Sequence, residues 1–251
     1  MSKLISVIIP NYNESENVRR GVLRTVVGYL KKQSYDWEII ISDDGSTDDS
    51  LSQIERFAKQ EPRLHILRNS HAGKPFALRA AFQAARGQYV LLTDMDQSTP
   101  ISELGKLVSY TTEGYEIVIG SRGSRRPDSS FLRQLASIVF LLARRAILLP
   151  EIHDTQCGFK LLDTKLARQI FSRMRIFGRT NNAIGWKVTA YDVEMLHLAK
   201  KMGKPIKEVS VRWKNEDTSS GKSRNFVKES LEMFAEILRV RVNDLLGKYD
   251  R

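Results

Sequence analysis

The sequence has little of what would mark a secreted or membrane-spanning protein. It contains one cysteine, Cys157, among 251 residues, so no internal disulfide can form and a reducing compartment is expected. The apolar start, Leu4–Ile9, is too short for a signal peptide. The longest uncharged apolar stretch, Gln134–Ala143, falls well below the ~18 residues needed to span a bilayer. These absences predict a soluble protein.

The composition is that of a folded, basic protein. Its apolar fraction of 41% is ordinary for a chain with a buried core. No linker rich in Pro, Gly or Ser and no internal repeat interrupts it, so we expect a single domain over residues 1–251. Lys and Arg number 40 against 29 Asp and Glu, a net charge of +11. Such a charge favours an acidic partner: nucleic acid, anionic lipid or a phosphorylated substrate.

The hydrophobic pattern predicts an α/β fold, with a mostly parallel sheet flanked by helices. In such sheets ligands bind beyond the carboxyl ends of the strands. Strands are expected at Leu4–Ile9, Trp37–Ser42, Arg63–Arg68, Gln88–Thr93, Glu116–Ile119, Phe159–Leu162 and Ile206–Val211. Helices are expected at Ser15–Lys32, Ser46–Lys59, Lys74–Arg86, Phe131–Leu149, Tyr191–Lys201 and Phe226–Leu246.

Acidic residues follow several of the predicted strands. Asp94 and Asp96 follow the fourth strand, and residues two apart in an extended segment point to the same side. Paired carboxylates suit Mg²⁺ or Mn²⁺ together with substrate phosphates, although two solvated acids in a turn would look the same. Glu14 and the run Asp43–Asp48 lie at the same predicted edge, where each acid alone is also compatible with a turn or a helix cap.

Six segments in order resemble family 2 glycosyltransferases, most closely the branch of dolichyl- and polyprenyl-phosphate glucosyltransferases and mannosyltransferases. The resemblance implies a GT-A fold, a nucleotide-sugar donor and Mg²⁺ or Mn²⁺. It also implies a nucleotide-sugar-binding half (1–100), an acceptor half (101–224) and a C-terminal amphipathic helix (225–251). The segments are Ser6–Glu14, Glu38–Asp48, Asn69–Lys74, Thr93–Pro100, Val118–Arg122 and Asp154–Lys160.

The resemblance also assigns donor-side roles. Arg122 would contact a donor or acceptor phosphate, unless it forms a surface salt bridge. Asp96 would be a direct metal ligand, and Asp94 would share the metal on the donor diphosphate. The residues implied to bind the nucleotide sugar are Pro10, Tyr12, Glu14, Asp44, Lys74, Asp94, Met95 and Asp96.

On the acceptor side, the resemblance implies a loop containing Gln156, Cys157 and Gly158. From its residue type alone, Cys157 is expected to be a buried small apolar residue. Lys222 and Arg224 belong to a Gly/Ser/Lys loop before a helix, which suits phosphate, although a flexible polar loop is an equal alternative. Asp192 would be the general base that inverting members use. A lipid phosphate, with a second pKa near ~6, needs no such base, and Asp192 would then order the loop or cap its helix.

The partners follow from these assignments. UDP-glucose is favoured as donor, because residues 156–160 (Gln-Cys-Gly-Phe-Lys) resemble the glucosyl branch more than the mannosyl one. GDP-mannose is possible, because Ser98 stands where mannosyl members can place a third metal ligand and its hydroxyl is a weaker ligand. The predicted helix Phe131–Leu149 is either interfacial or a core helix, and the stripe of Phe226–Leu246 favours packing on its own domain over a membrane anchor. Nucleic-acid binding is not expected, because aromatic residues make up only 8% of the chain.

The leading hypothesis is therefore metal-dependent, inverting transfer of a hexose, glucose favoured, to a polyprenyl phosphate. The enzyme would be cytoplasmic and would associate peripherally with an anionic membrane surface. The alternative is a soluble family 2 transferase that acts on a glycan or a small polar acceptor.

Overall fold

A computed structural model describes residues 4–123, 148–179, 191–216 and 226–250. Seven strands form one sheet, and helices lie on both of its faces. The strands are β1 (Leu4–Asn11), β2 (Asp36–Asp43), β3 (Leu64–Arg68), β4 (Tyr89–Leu92), β5 (Ile117–Ser121), β6 (Lys160–Asp163) and β7 (Ile206–Ser210). The described helices are α1 (Ser15–Arg19), α2 (Val22–Leu30), α3 (Ser50–Ala58), α4 (Lys74–Ala84), α5 (Leu104–Thr111), α6 (Thr164–Arg173), α7 (Tyr191–Lys201) and α8 (Phe226–Leu245).

The sheet is mostly parallel, as predicted, with one reversed strand. Its order is β3-β2-β1-β4-β6-β5-β7. Strands β1 to β4 pair in parallel, as do β5 and β7, whereas β6 runs antiparallel to both β4 and β5. Because β6 is reversed, its amino end lies at the edge where the parallel strands end. Lys160, the first residue of β6, is opposite Leu92 of β4 and Ile119 of β5.

The core lies on both faces of the sheet, because alternate residues of a strand point to opposite sides. In β1, Ile8 belongs to one apolar cluster, and Val7 and Ile9 belong to the other. All three side chains are fully buried. The sequence of such a strand is therefore a continuous run of apolar residues, which is typical of a sheet covered on both faces.

Two predicted helix boundaries differ from those of the structure, and local backbone features explain both differences. The predicted helix Ser15–Lys32 is two helices, because Gly21 takes a left-handed φ of 82° between them. Helix α3 begins at Ser50 rather than Ser46. The carboxylate of Asp43 accepts hydrogen bonds from the backbone N–H groups of Gly45 and Ser46, which holds this segment in a turn.

Two helices of the structure were not predicted from the sequence, and one predicted helix lies mostly outside the described residues. Helix α5 and helix α6 were not predicted, although α6 buries Leu166 and Ile170 at helical spacing. The predicted helix Phe131–Leu149 lies outside the described residues except for its last two. Leu148 and Leu149 are buried and lie at a turn.

Helix α8 packs on the fold with a different side from the predicted one. Ile237 and Val240 are buried against the domain. The expected packing stripe instead faces outward at Phe234, Leu238, Val242 and Leu245, which are 38%, 42%, 52% and 71% exposed. The expectation that this stripe packs on its own domain is therefore wrong at these four positions. Among the described residues, no helix combines the length and apolar character needed to cross a bilayer.

Candidate active site

A cleft of about 160 Å³ opens at the edge of the sheet where the parallel strands end. The loops after β4, β5 and β7 form its walls, together with the loop that leads into β6. This arrangement brings together five of the predicted residues, which are Asp94, Asp96, Arg122, Gln156 and Gly158. It also adds Trp213, which is 37% exposed.

Asp94 is held by a lysine from the start of α4. Lys74 Nζ lies 2.5 Å from Asp94 Oδ1. Burial works against the charged carboxylate, yet the nearby Lys74 ammonium keeps the pKa of Asp94 below its usual value, with Lys160 and Arg122 contributing. Burial likewise opposes the charge of Lys74, but Asp94, Tyr191 and Asp192 raise the pKa of Lys74 overall. Both groups are therefore charged at neutral pH.

Gly158 allows the acceptor-side loop to approach Asp94 closely. A Cβ atom at Gly158 would lie 2.0 Å from Asp94 Oδ2 and 2.8 Å from Asp94 Cγ. Real Cβ atoms do not approach so closely, so any larger residue must displace the carboxylate or the loop. The contact joins the predicted metal pair to the predicted acceptor loop.

Asp96 is held by its own turn and by Arg20, the residue that follows α1. Its Oδ1 accepts a hydrogen bond from the backbone N–H of Ser98 at 2.8 Å. Its backbone carbonyl accepts one from Arg20 Nη2 at 2.6 Å, and Arg20 also pairs with Glu216. The Ser98 hydroxyl accepts a hydrogen bond from Glu216 N. The segment after β7 is therefore tied to the loop that carries Asp96.

The two aspartates fit a hard divalent cation. Within the described ranges, no group of three or more His, Cys, Asp or Glu side chains is arranged to hold a metal ion. Asp94 and Asp96 nevertheless line the same cleft and offer carboxylate oxygens. Mg²⁺ typically binds one or two carboxylates plus substrate phosphates and water, so a pair is sufficient.

Arg122 forms a bidentate pair in the cleft wall. Its Nε and Nη2 donate to the two carboxylate oxygens of Asp154 at 2.7 and 2.9 Å. Both side chains are about 15% exposed, so this is not the surface salt bridge considered as an alternative. Burial alone would raise the pKa of Asp154, but the Arg122 guanidinium lowers the pKa to about 2. The guanidinium also lies 5.7 Å from the centre of the Trp213 ring.

Asp192 is paired beneath the cleft rather than lining it. The fully buried Lys160 donates to Asp192 Oδ1 at 2.7 Å and to the carbonyl oxygen of Cys157. Asp192 is itself 6% exposed. This chain of contacts fastens α7 to the acceptor-side loop, the geometry expected of a residue that orders that loop.

The predicted nucleotide side lies at the ends of β1 and β2. Asp44 is 3% exposed, and its carboxylate accepts hydrogen bonds from the backbone N–H groups of Ala72 and Gly73. Tyr12 stacks on His71, with ring centroids 4.3 Å apart. Glu14 accepts a hydrogen bond from Asn17 at 2.6 Å, and Pro10 is a residue of β1.

Two further predicted side chains, Met95 and Cys157, are buried in the core away from the cleft, and two others lie outside the described residues. Met95 and Cys157 are 2% and 1% exposed, and both pack in the apolar core. Burial raises the pKa of the Cys157 thiol, which suits the small apolar role derived from residue type. A ligand can therefore be contacted only by their backbone atoms. Lys222 and Arg224 fall outside the described residues.

Three residues of the site received no individual role from the sequence. Asp154 and Lys160 are the ends of a segment singled out for its resemblance, but nothing in the order of residues shows their partners, Arg122 and Asp192. His71 lies in another such segment, and its stacking on Tyr12 joins loops from two different strands. A signal was available for His71, which lies in the loop after the end of β3, whereas Asp154 and Lys160 come before or at the start of β6.

Comparison with known proteins identifies relatives of the whole chain. The profile described as Glycosyl transferase family 2 matches residues 6–171. A dolichyl-phosphate beta-glucosyltransferase of Dictyostelium discoideum is 32% identical, over 97% of this chain and 75% of its own length. Glycosyltransferase AglD of Haloferax volcanii is 30% identical, over 94% of this chain and 36% of its own.

Solved structures share the fold. Glucosyl-3-phosphoglycerate synthase of Mycobacterium tuberculosis, in complex with Mn²⁺, UDP and glucosyl-3-phosphoglycerate, superposes with a TM-score of 0.63 at 20% identity. The match covers 99% of this chain and 80% of that one. Mannosyltransferase PcManGT of Pyrobaculum calidifontis, with GDP-Man and Mn²⁺, has a TM-score of 0.59 at 19% identity, over 95% and 65% of the two chains. The predicted GT-A fold is thereby confirmed.

Proposed function

Because the chain belongs to glycosyl transferase family 2 and is a nucleotide-sugar glycosyltransferase, we propose that it transfers glucose from UDP-glucose to a polyprenyl phosphate. One observation carries the proposal: the cleft places the carboxylates of Asp94 and Asp96 beside the fixed cation of Arg122. A metal-bound diphosphate and a second phosphate can be held there together. The names of the dolichyl-phosphate relatives support glucose as the sugar and a lipid phosphate as the acceptor.

On the donor side, the chain supplies charge in fixed positions. Asp94 and Asp96 would hold Mg²⁺ or Mn²⁺, which neutralises charge on the departing diphosphate. Lys74 adds a cation next to Asp94, oriented by its 2.5 Å contact. Preorganised charges of this kind need no rearrangement as the bond to the diphosphate breaks.

On the acceptor side, the phosphate is its own nucleophile. A phosphate monoester has a second pKa near ~6 and is largely dianionic at neutral pH, so no side chain must remove a proton. Arg122, fixed by Asp154, supplies positive charge at the cleft wall. Attack from the face opposite the diphosphate inverts the anomeric carbon. Asp192 acts by ordering the loop through Lys160.

The test measures UDP release with Mn²⁺, with and without a short polyprenyl phosphate in detergent. We expect the phosphate lipid to raise release from UDP-glucose at least tenfold, and EDTA to return it to the rate without lipid. The matched control is the polyprenyl alcohol, which lacks the phosphate and should have no effect. Parallel reactions with GDP-mannose identify the donor.

Other results would change the proposal in defined ways. If UDP release depends on the metal but is the same with and without the lipid, the lipid acceptor is excluded and a glycan or small polar acceptor is favoured. Release from GDP-mannose but not from UDP-glucose would overturn the donor. No turnover of either donor would overturn the catalytic proposal.

We further propose that α8 rests on the cytoplasmic face of an anionic membrane. Its outward stripe is apolar at Leu238, Val242 and Leu245, and Arg239 and Arg241, each 45% exposed, flank the stripe. An amphipathic helix with this pattern lies in the interface with its cations at the headgroups. The net charge of +11 favours the same anionic surface.

The double variant Leu238→Glu/Leu245→Glu should lose binding to anionic liposomes at least fivefold in a sedimentation assay. It removes apolar area and adds two charges that anionic lipid repels. The control, Ser52→Glu/Gln83→Glu, makes the same charge change at exposed sites on α3 and α4 and should bind almost as wild type does. Equal losses in both variants would show that net charge alone drives binding, against the role of α8.

A further inference from the structure

One wall of the cleft carries an exposed aromatic ring. Trp213 lies in the segment after β7, lines the cleft and is 37% exposed. Phe159 lines the cleft as well but is only 1% exposed. The other described residues around the cleft are polar, apart from Gly158. Among the residues that the structure describes, the indole is therefore the large apolar surface that the cleft offers to a ligand.

The backbone on both sides of Trp213 is fixed. Arg212 donates from its backbone N–H and from Nε to the two carboxylate oxygens of Glu103, a residue that is 2% exposed. Lys214 donates its backbone N–H to the carbonyl oxygen of Ser98 at 2.9 Å. The indole is therefore held at the cleft from both sides before any ligand binds.

The ring lies on the acceptor side of the cleft. Its centre is 5.7 Å from the guanidinium carbon of Arg122, which is within the range of a cation–π contact. The pair with Asp154 uses Nε and Nη2 of that guanidinium, so an acceptor phosphate would be held at Nη1. The acceptor phosphate and the indole would thus share Arg122 as a neighbour.

The acceptor proposed above has an apolar part that the cleft must also accommodate. In a polyprenyl phosphate, the first isoprene unit is joined to phosphorus through a single ester oxygen, so a phosphate at Arg122 brings its carbons into the cleft. Burying those carbons against hydroxyl, amide or carboxylate groups would remove water from polar atoms without replacing their hydrogen bonds. The face of the Trp213 ring avoids that cost. The donor glucose, by contrast, has hydroxyl groups that suit the polar lining.

We propose that Trp213 packs against the first isoprene unit of the acceptor, and so selects a phosphate on an apolar chain over a phosphate on a polar chain. This inference rests on the proposed polyprenyl phosphate acceptor. Arg122 recognises the phosphate, which every phosphate monoester has, whereas Trp213 recognises the carbons next to it. The indole thus determines acceptor specificity and does not contribute to donor binding.

Steady-state kinetics with citronellyl phosphate, a phosphate on two isoprene units, and UDP-glucose in Mn²⁺ test the proposal. The matched variants are Trp213→Leu and Trp213→Asn, whose side chains have nearly the same shape but differ in polarity. Trp213→Asn should raise the KM for citronellyl phosphate about tenfold or more, the scale of a lost apolar contact, and Trp213→Leu should stay within about threefold of wild type. Neither variant should change the KM for UDP-glucose. Thermal unfolding of each variant checks that it is folded.

A second readout does not depend on turnover. With UDP and Mn²⁺ bound, citronellyl phosphate should shift the fluorescence emission of Trp213 to shorter wavelength, because the isoprene unit displaces water from the indole. Glycerol 3-phosphate, a phosphate monoester with a polar chain, should cause no shift. The chain has three tryptophans, and loss of the shift in Trp213→Leu assigns it to Trp213. Equal shifts with both phosphates, or no shift with either, would overturn the contact.

Failure of this inference differs from failure of the proposed function. If wild type uses citronellyl phosphate and the two variants share one KM for it, recognition through an apolar surface is overturned while the lipid acceptor stands. If the variants raise the KM for UDP-glucose instead, the ring stacks on the donor's sugar, and again only the inference fails. If wild type does not use the lipid phosphate at all, the proposed acceptor and the inference fail together.

Discussion

Replacing Gly158 with alanine should lower the rate of glucose transfer about 100-fold in a protein that still folds. The new Cβ would lie 2.0 Å from Asp94 Oδ2, so the carboxylate must turn away from Lys74 or the loop must retreat. A displacement of about 1 Å in a catalytic arrangement typically costs on the order of 100-fold in rate. Because the displaced group is the proposed metal ligand, the Mn²⁺ concentration for half-maximal activity should rise as well.

Gly28→Ala is the matched control. Gly28 lies in α2, and a Cβ atom there would meet nothing within 4 Å. Its rate and Mn²⁺ dependence should equal those of wild type, and its Tm should stay the same or rise, because alanine stabilises a helix relative to glycine. Initial rates of UDP release over a Mn²⁺ titration make the comparison. Wild-type behaviour of Gly158→Ala would show that the close contact with Asp94 is not required.

Replacing Lys160 with methionine should destabilise the protein by about 3–5 kcal/mol, the cost of leaving one buried charge without its partner. Lys160 is fully buried, and its ammonium is 2.7 Å from the 6% exposed Asp192. Methionine keeps the unbranched shape but removes the charge and the hydrogen bond to Cys157. For a chain of this size the expected fall in Tm is roughly 6–20 °C.

Two further variants separate charge from packing. Lys200→Met removes a lysine that is 43% exposed and pairs with an exposed Glu151, so its effect should stay within about 0.5 kcal/mol. The double variant Lys160→Met/Asp192→Asn removes both charges and should recover a large part of the lost stability. A double variant no more stable than Lys160→Met would assign the loss to packing. A wild-type Tm for Lys160→Met would refute the buried pair.

The strands of the first half were predictable from the sequence because each is an apolar run between polar segments. Helix α7 was predicted with its exact bounds, whereas Ser15–Lys32 was not, since the pattern passes through Gly21 without showing its left-handed φ. The rule that ligands bind beyond the carboxyl ends of the strands also placed Asp94 at the site. The contact of its carboxylate with Gly158 was not predictable, because the two residues are far apart in sequence and meet only in the fold.

The pairing of charges could not be predicted in the same way. Arg122 could have paired with any nearby acid, and the choice of Asp154 depends on the reversed direction of β6. That direction brings the residues before β6 to the edge where β4 and β5 end. The apolar pattern predicted the strand but carried no information on its direction. The outward stripe of α8 shows the same limit, because periodicity identifies an apolar face without identifying what covers it.

The reversed strand also determines which parts of the site the backbone of the sheet holds together. Lys160 opens β6 between Leu92 and Ile119, so the loop before β6 leaves the sheet beside the residues that follow β4 and β5. Ladder hydrogen bonds on both sides prevent this loop from sliding past Asp94 or Arg122. Asp94 on the donor side and Arg122 on the acceptor side are thus anchored to adjoining strands of one ladder. The spacing of Asp94 and Arg122 is therefore set by the backbone of the sheet, whereas the contact between Lys74 and Asp94 is made by side chains.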